Sequence, residues 1–278
     1  MNKWVLGARP RTLPAAITPV IVAVAIAYPT LDLLNALLAL IVGLSLQIAV
    51  NYANDYSDGI KGSDANRIGP IRLVASGIAG AAQVKRAAFI AFGFAAIAGL
   101  YLSFRTSYWL IAIGAAAIIA AWRYTGGENP YGYRGLGEIY VFIFFGLVAT
   151  LGTYFGQTGE ITIEATMAAI SNGAIACALL AVNNIRDIEG DFQVNKRTLA
   201  VRLGDTRARR FYMFLIFIAI FSSFTVTILA VLGIFPGLKL LNEIKFRKGK
   251  ELIVVLGSTG KFQLILGSLI SIGTLVNI

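Results

Sequence analysis

Apolar runs too long for the core of a water-soluble domain recur from end to end of this chain, at roughly 13–29, 33–53, 82–103, 108–122, 138–157, 163–184, 211–235 and 262–277. Hydrophobic types make up 57% of its 278 residues and charged types only 14%. A helix of about 20 such residues crosses the hydrocarbon of a bilayer with every backbone group bonded internally. The expectation is an all-α integral membrane protein. No stretch is long and polar enough for a separate soluble unit, so a single domain is expected over residues 1–278. The first run lacks a small-residue cleavage site and reads as a retained helix.

The charges between the runs set the orientation. Net charge is +10, from 24 Lys+Arg against 14 Asp+Glu. Lys3, Arg9 and Arg11 precede the first run. Lys61, Arg67, Arg72, Lys85 and Arg86 follow the second, and Arg123 and Arg134 follow the fourth. Arg186, Lys196, Arg197, Arg202, Arg207, Arg209 and Arg210 follow the sixth, whereas the turns after the first, third and fifth runs hold only Arg105. Positive charge stays on the cytoplasmic side, which places the N-terminus and the long loops there, in a multi-pass protein of the cell membrane. Basic residues so placed suit anionic lipid heads and a phosphorylated substrate rather than nucleic acid. Nothing in the pattern calls for an obligate protein partner. A last basic group, Lys239 to Lys261, should also be cytoplasmic. Either two short, tilted helices meet near Ser222 and Ser223, giving nine spans in all, or a single span puts this group outside against the charge rule; the two short helices are the expectation.

The chain has no histidine and one cysteine, Cys177, inside an apolar run. That excludes Ser-His-Asp and Cys-His catalysis, His-ligated zinc or haem, and an intrachain disulfide. A metal would have to be a hard cation held by oxygen, Mg²⁺ first.

Carboxylates are costly near a bilayer, so their placement there points to function. Two clusters stand where the second and sixth runs end: Asn51, Asn54, Asp55 and Asp58, then Asn183, Asn184, Asp187 and Asp191. Asn51, Asn54, Asp55 and Asp58 fall at i, i+3, i+4 and i+7, on one helix face, and Asn184, Asp187 and Asp191 share a face too. Each is followed by a basic loop. The recurrence four spans apart suggests two four-helix halves plus a C-terminal helix, each half giving one acidic helix end to a shared cavity. Carboxylates crowded in this way can share Mg²⁺ with phosphate oxygens. Solvated helix ends are the plainer reading of one such cluster and a poor one of two. Lys61, Arg67, Arg72, Lys196, Arg197 and Arg202 can neutralise a departing diphosphate. Lys85, Arg86, Arg207, Arg209 and Arg210 read as topology alone.

The loop from Arg123 to Glu138 is rich in glycine and tyrosine. Tyr124, Tyr131 and Tyr133 can offer π faces to a carbocation, with Arg134 meeting an acidic acceptor. An interfacial aromatic belt reads equally well. Glu128 and Glu138 are further acid/base candidates, and Arg9 and Arg11 suit topology better than substrate.

With these residues in view, the chain resembles the UbiA-type intramembrane prenyltransferases, nearest the branch that prenylates 1,4-dihydroxy-2-naphthoate in menaquinone synthesis. The segments that carry the resemblance run from Gly7 to Pro14, Asn54 to Gly62, Arg67 to Arg72, Asn129 to Glu138, Asn183 to Asp187 and Lys196 to Gly204. The resemblance implies nine helices around a central cavity, Mg²⁺ on both acidic motifs and a polyprenyl diphosphate with its tail along the membrane. Asn54, Asp55, Asp58, Asp187 and Asp191 would be metal-site residues, the four aspartates catalytic. Lys61, Arg67, Lys196 and Arg197 would face the diphosphate, and the aromatic acid would lose CO₂ on prenylation. Two departures stand out: where the superfamily's first motif carries a third Asp, this chain has Gly62, with Asp64 two residues on, and the stretch 211–238 is short for the two helices the family pattern needs there. Other acceptors (4-hydroxybenzoate, homogentisate, haem or a chlorin) keep the fold. A CDP-alcohol phosphotransferase has one acidic motif, not two. A cation-coupled transporter would carry its charges deep within the spans.

Overall fold

The computed structural model describes residues 2–63, 69 and 71–277. They form helices and turns with no strand among the described residues. A short helix α1 (Lys3–Ala8) turns through Arg9 into α2 (Pro14–Ala27), the two axes bent by 51°. Then follow α3 (Leu33–Ile60), α4 (Ala81–Arg105) and α5 (Trp109–Arg123). The next span is composite: α6 (Gly137–Val141), a π-helical stretch (Phe142–Val148) and α7 (Ala149–Thr158). The rest comprises α8 (Ile163–Arg186), α9 (Ile188–Gln193), α10 (Leu199–Phe224), α11 (Ile234–Phe246) and α12 (Leu252–Leu275).

Local chemistry fixes the helix ends. Asp32, Thr162 and Thr198 accept a backbone N–H from the first turns of α3, α8 and α10, the expected N-cap bond. α2 opens on Pro14, whose missing N–H has no partner to lose there.

Five helical spans are long and apolar enough to cross a membrane: Leu33–Ile60, Ala81–Arg105, Gly137–Thr158, Ile163–Arg186 and Gly249–Leu275. The bent pair Lys3–Thr12 and Pro14–Ala27 would make a sixth. This is a multi-pass membrane protein. Its outward faces carry large apolar side chains such as Phe94, Trp109, Phe217 and Phe235. Inward, small residues let the helices approach closely, since lipid supplies no hydrophobic drive to pack them. The most deeply buried helix is α8, through Ala165, Ala168, Ala169, Ala174 and Ala178. The most extensive helix pairings are α3 with α4 and α8 with α10, each joining an acid-tipped helix to the next long one. Between them, α2 packs on α3, α7, α8 and α12.

The C-terminal third departs from the sequence expectation in position. α10 runs on through Ser222 and Ser223, whose hydroxyls donate to Ile218 and Ala219 carbonyls of their own helix. The chain turns at 225–227 instead, and a 3-10 turn (Ile228–Gly233) leads into α11. Lys239 and Lys245, of the last basic group, therefore lie within a helix. Gly237, Leu240 and Ile244 bury its inner stripe at i, i+3 and i+7 while the lysines stay outside. Arg209 closes the end of α11, donating to the carbonyls of Ile244 and Arg247 (2.9 Å) and to Asp205 (2.7 Å).

Candidate active site

The last turns of α3 divide their polar face in two. Asn51 points toward the N-terminal bend, donating to the Ala8 carbonyl (2.9 Å) and the Thr12 hydroxyl (3.0 Å). Asp55 is fully buried, and its two oxygens accept the backbone N–H groups of Leu73 (2.8 Å) and Val74 (3.0 Å). Asn54 and Asp58, one turn apart, face the other way. Asn54 accepts from the Thr125 hydroxyl (2.8 Å) and Asp58 from the Tyr133 phenol (3.0 Å). The one stripe expected from the spacing is thus two, about a third of a turn or less apart on the helix.

Asp58 Oδ2 is buried and has no hydrogen bond, yet Arg72 Nη2 and Lys196 Nζ each lie 3.8 Å from it. The same Lys196 ammonium lies 3.6 Å from Asp191 Oδ1. The two acidic clusters therefore meet at one point, at one end of the bundle. At Asp187 the expected continuous helix is broken: α8 ends at Arg186 and α9 restarts at Ile188. Arg186 grips both oxygens of Asp187 at 2.7 Å. Asn183 donates back to Leu179 in its own helix, while Asn184 donates to buried Glu138 Oε1 (3.0 Å).

The basic residues divide likewise. Arg72 and Lys196 reach the carboxylates. Lys61 donates to the carbonyls of Thr125 (2.7 Å) and Gly127 (2.9 Å), fastening α3 to the 124–136 loop. Burial lowers the Lys61 pKa, the Asp58 charge raises it, and Lys196 adds to the lowering. Arg197 turns to Asn195 and the Phe192 ring, and exposed Arg202 donates to the Arg197 carbonyl, so neither reaches the carboxylates through these bonds. Arg67 lies outside the described residues.

Of the tyrosines, Tyr133 belongs with the charges: its phenol meets Asp58 and Ser63, and Lys61 and Lys196 sit 5.0 and 5.2 Å from its ring centre. Tyr124 and Tyr131 instead begin an aromatic ladder that continues through Tyr140 and Phe144, with ring centres 5.5, 3.9 and 6.3 Å apart in turn. Burial holds the Tyr124 and Tyr131 phenols above the usual tyrosine range; Glu138 comes next for Tyr124, ahead of Tyr131, Asp58 and Asp191. Both are neutral hydroxyls. Gly132 makes this arrangement possible, since a Cβ there would stand 2.6 Å from the Tyr124 carbonyl. Arg134 is exposed and stands apart from the ladder.

Tyr140 and Phe144 were hidden in an apolar run, where an aromatic residue carries no signal distinguishing a cavity wall from a lipid face. Arg9 was passed over as topology. It has a left-handed backbone (φ 53°), and its Nε and Nη2 are buried without hydrogen bonds.

The ladder forms one wall of an apolar groove of about 180 Å³ running down between α3, α4, α5 and the composite span. Polyanion chemistry at its head and hydrocarbon along its length suit an amphiphile with an anionic end. The donor set also fits a hard cation: Asn54, Asp58 and Asp191 offer only oxygen, and one Asp58 oxygen lacks a hydrogen bond. Among the described residues no three His, Cys, Asp or Glu gather to hold a metal unaided. Mg²⁺ itself takes one or two carboxylates and completes its shell with water and phosphate oxygens.

Known proteins place this geometry. The model of the UbiA prenyltransferase family matches residues 16–249. The chain is 45% identical over 272 residues to a Mycobacterium tuberculosis protein named 1,4-dihydroxy-2-naphthoate octaprenyltransferase, covering 95% of this chain and 93% of that one. Its Escherichia coli namesake is 41% identical over 218 residues, with 75% and 71% covered. Among solved structures, a UbiA homolog from Archaeoglobus fulgidus bound to GPP and Mg²⁺ aligns with a TM-score of 0.73 over 99% of this chain and 100% of that one. At 14% identity that likeness speaks for the fold alone. The chain belongs to the UbiA prenyltransferase family.

Proposed function

We propose that this chain transfers a polyprenyl group from polyprenyl diphosphate to 1,4-dihydroxy-2-naphthoate. Diphosphate and CO₂ leave, and the product is the reduced form of demethylmenaquinone. The observation that carries this reading is the meeting of Asp58 and Asp191 around Lys196, at the head of the aromatic-walled groove. The acceptor is taken from the two relatives described above, alike over most of this chain.

In this reading Asn54, Asp58 and Asp191 would hold Mg²⁺, with Asp187 as a further candidate ligand, while Asp55 fixes the 73–74 backbone. A bound Mg²⁺ supplies charge neutralisation on the leaving diphosphate. Arg72, Lys196 and Lys61 meet the remaining phosphate charge as the allylic C–O bond ionises. Tyr124 and Tyr131, neutral and π-rich, face the cation that forms. The surrounding apolar wall keeps water from capturing it before the electron-rich ring attacks.

The membrane arrangement follows from the charge pattern. We place the N-terminus and the site loops in the cytoplasm, with nine crossings of the cell membrane. α5, α10 and the 228–246 hairpin arm join the six helical spans named above. The whole chain acts as one domain, with the two substrates and lipid as its partners.

The test is turnover in membranes with Mg²⁺, a polyprenyl diphosphate and competing aromatic acids. Prenylated naphthoate product is expected. Prenylation of 4-hydroxybenzoate with dihydroxynaphthoate ignored would overturn the acceptor, and loss of neither substrate would overturn the transfer itself.

A further inference from the structure

Glycines line the groove at four levels: Gly43 on α3, Gly99 on α4, Gly114 on α5 and Gly152 on α7. Packing explains the first: a Cβ at Gly43 would stand 3.2 Å from the Ala16 carbonyl, whereas one at Gly99 would meet Val42 at an ordinary contact distance of 3.7 Å. At Gly114 and Gly152 a Cβ would meet no heavy atom within 4 Å. Both residues wall the groove, so the space their missing side chains leave is groove space. Glycine weakens a helix relative to alanine, and no neighbour here requires it.

Their depth is informative. Gly114 lies ten residues along α5 from Tyr124, and Gly152 twelve residues from Tyr140 along the composite span. At about 1.5 Å per residue that is roughly 15 and 18 Å below the aromatic head. The composite span also keeps one face on the groove for that whole distance. Tyr140, Phe144, Val148 and Gly152 all line it, a repeat of four. A regular α-helix overshoots by about 40° every four residues and would have turned roughly 120° away by Gly152. The π-helical stretch Phe142–Val148 holds more residues per turn and takes up that drift. It is fixed in place by Gly146, whose Cβ would stand 2.5 Å from Gly173 Cα on α8.

We propose that Gly114 and Gly152 set the length of prenyl tail this chain accepts. They hold the far end of the groove open, so that a long tail passes between α5 and α7. The inference rests on the prenyl-transfer reading and adds a determinant of tail length to it.

The experiment compares wild type with Gly114→Phe and Gly152→Phe in membranes containing Mg²⁺ and dihydroxynaphthoate. The donors are geranyl, geranylgeranyl and octaprenyl diphosphate. Geranyl transfer is expected to stay within about twofold of wild type, while kcat/KM for the longer two falls by about tenfold or more. An equal change for all three donors, or none, overturns the proposal. Should a variant fail to fold, wild type labelled with a geranylgeranyl diphosphate bearing a terminal diazirine decides the matter. Crosslinks at peptides containing residue 114 or 152 support the proposal, and crosslinks confined elsewhere overturn it. Failure of wild type with every donor would overturn the transfer reading itself, an outcome distinct from either.

Discussion

Lys196 Nζ lies 3.8 Å from Asp58 Oδ2, although one residue follows the second acidic cluster and the other belongs to the first. The same ammonium reaches Asp191 at 3.6 Å. Positive charge thus stands where the two acidic clusters would otherwise repel each other. Replacing Asp58 or Asp191 with Asn keeps shape and removes charge. Each variant should lower kcat by about 100-fold or more, the scale of losing one electrostatic contact to the transition state. Wild-type rates in both would remove them from the site. Asp187→Ala should also abolish turnover, and leaves the buried Arg186 guanidinium without its bidentate partner.

Asp55 has a different assignment. Its oxygens are held by the Leu73 and Val74 N–H groups, and Arg72 is the residue just before them. Asp55→Ala strands the buried Leu73 donor, at a cost of about 1–3 kcal/mol, and the half-buried Val74 donor at less. Thermal unfolding in detergent should move down, and the rate should fall because Arg72 loses its anchor. The Mg²⁺ concentration giving half-maximal rate should stay put, whereas a metal ligand's loss would raise it.

Lys61 gives a pH dependence. Burial lowers its pKa from the ordinary 10.5, so in the folded protein it gives up its proton at lower pH than in the unfolded chain. A rise in pH through that window favours folding as far as this group is concerned, yet removes a charge from the diphosphate site. KM for the prenyl diphosphate should therefore rise on the alkaline side, below the pH at which an ordinary lysine titrates. Lys61→Arg, which stays charged, should flatten that limb. An unchanged profile in the variant would assign the limb to another group.

Arg209 is a matter of stability. Its guanidinium closes the C-terminal end of α11 on the carbonyls of Ile244 and Arg247. Arg209→Ala should destabilise by about 1–3 kcal/mol through those unmet buried acceptors. The Tm should drop while kcat in the surviving protein stays at the wild-type level. A lower kcat at unchanged Tm would contradict this role.

Gly146 holds the π-helical stretch against α8. Gly146→Ala puts a methyl carbon 2.5 Å from Gly173 Cα and should cost about 1–3 kcal/mol as overpacking. Thermal unfolding reads the loss directly. No change in Tm would mean the two helices separate freely there.

The chain's own order of residues determined that it lives in a bilayer, that carboxylates end two of its helices, and that basic loops follow them. Those are properties of composition and spacing, and one helix carries them without its neighbours. The same spacing could place Asn51, Asn54, Asp55 and Asp58 on one side of α3 but could not divide them. Asp55 turned to a loop backbone and Asp58 to Lys196 because of what packs on each flank. The turn after Phe224, the helical setting of Lys239 and the groove face of Tyr140 and Phe144 were likewise decided only on folding. In an apolar run, lipid and cavity accept the same side chains, and only the neighbouring helices decide which of the two a residue meets.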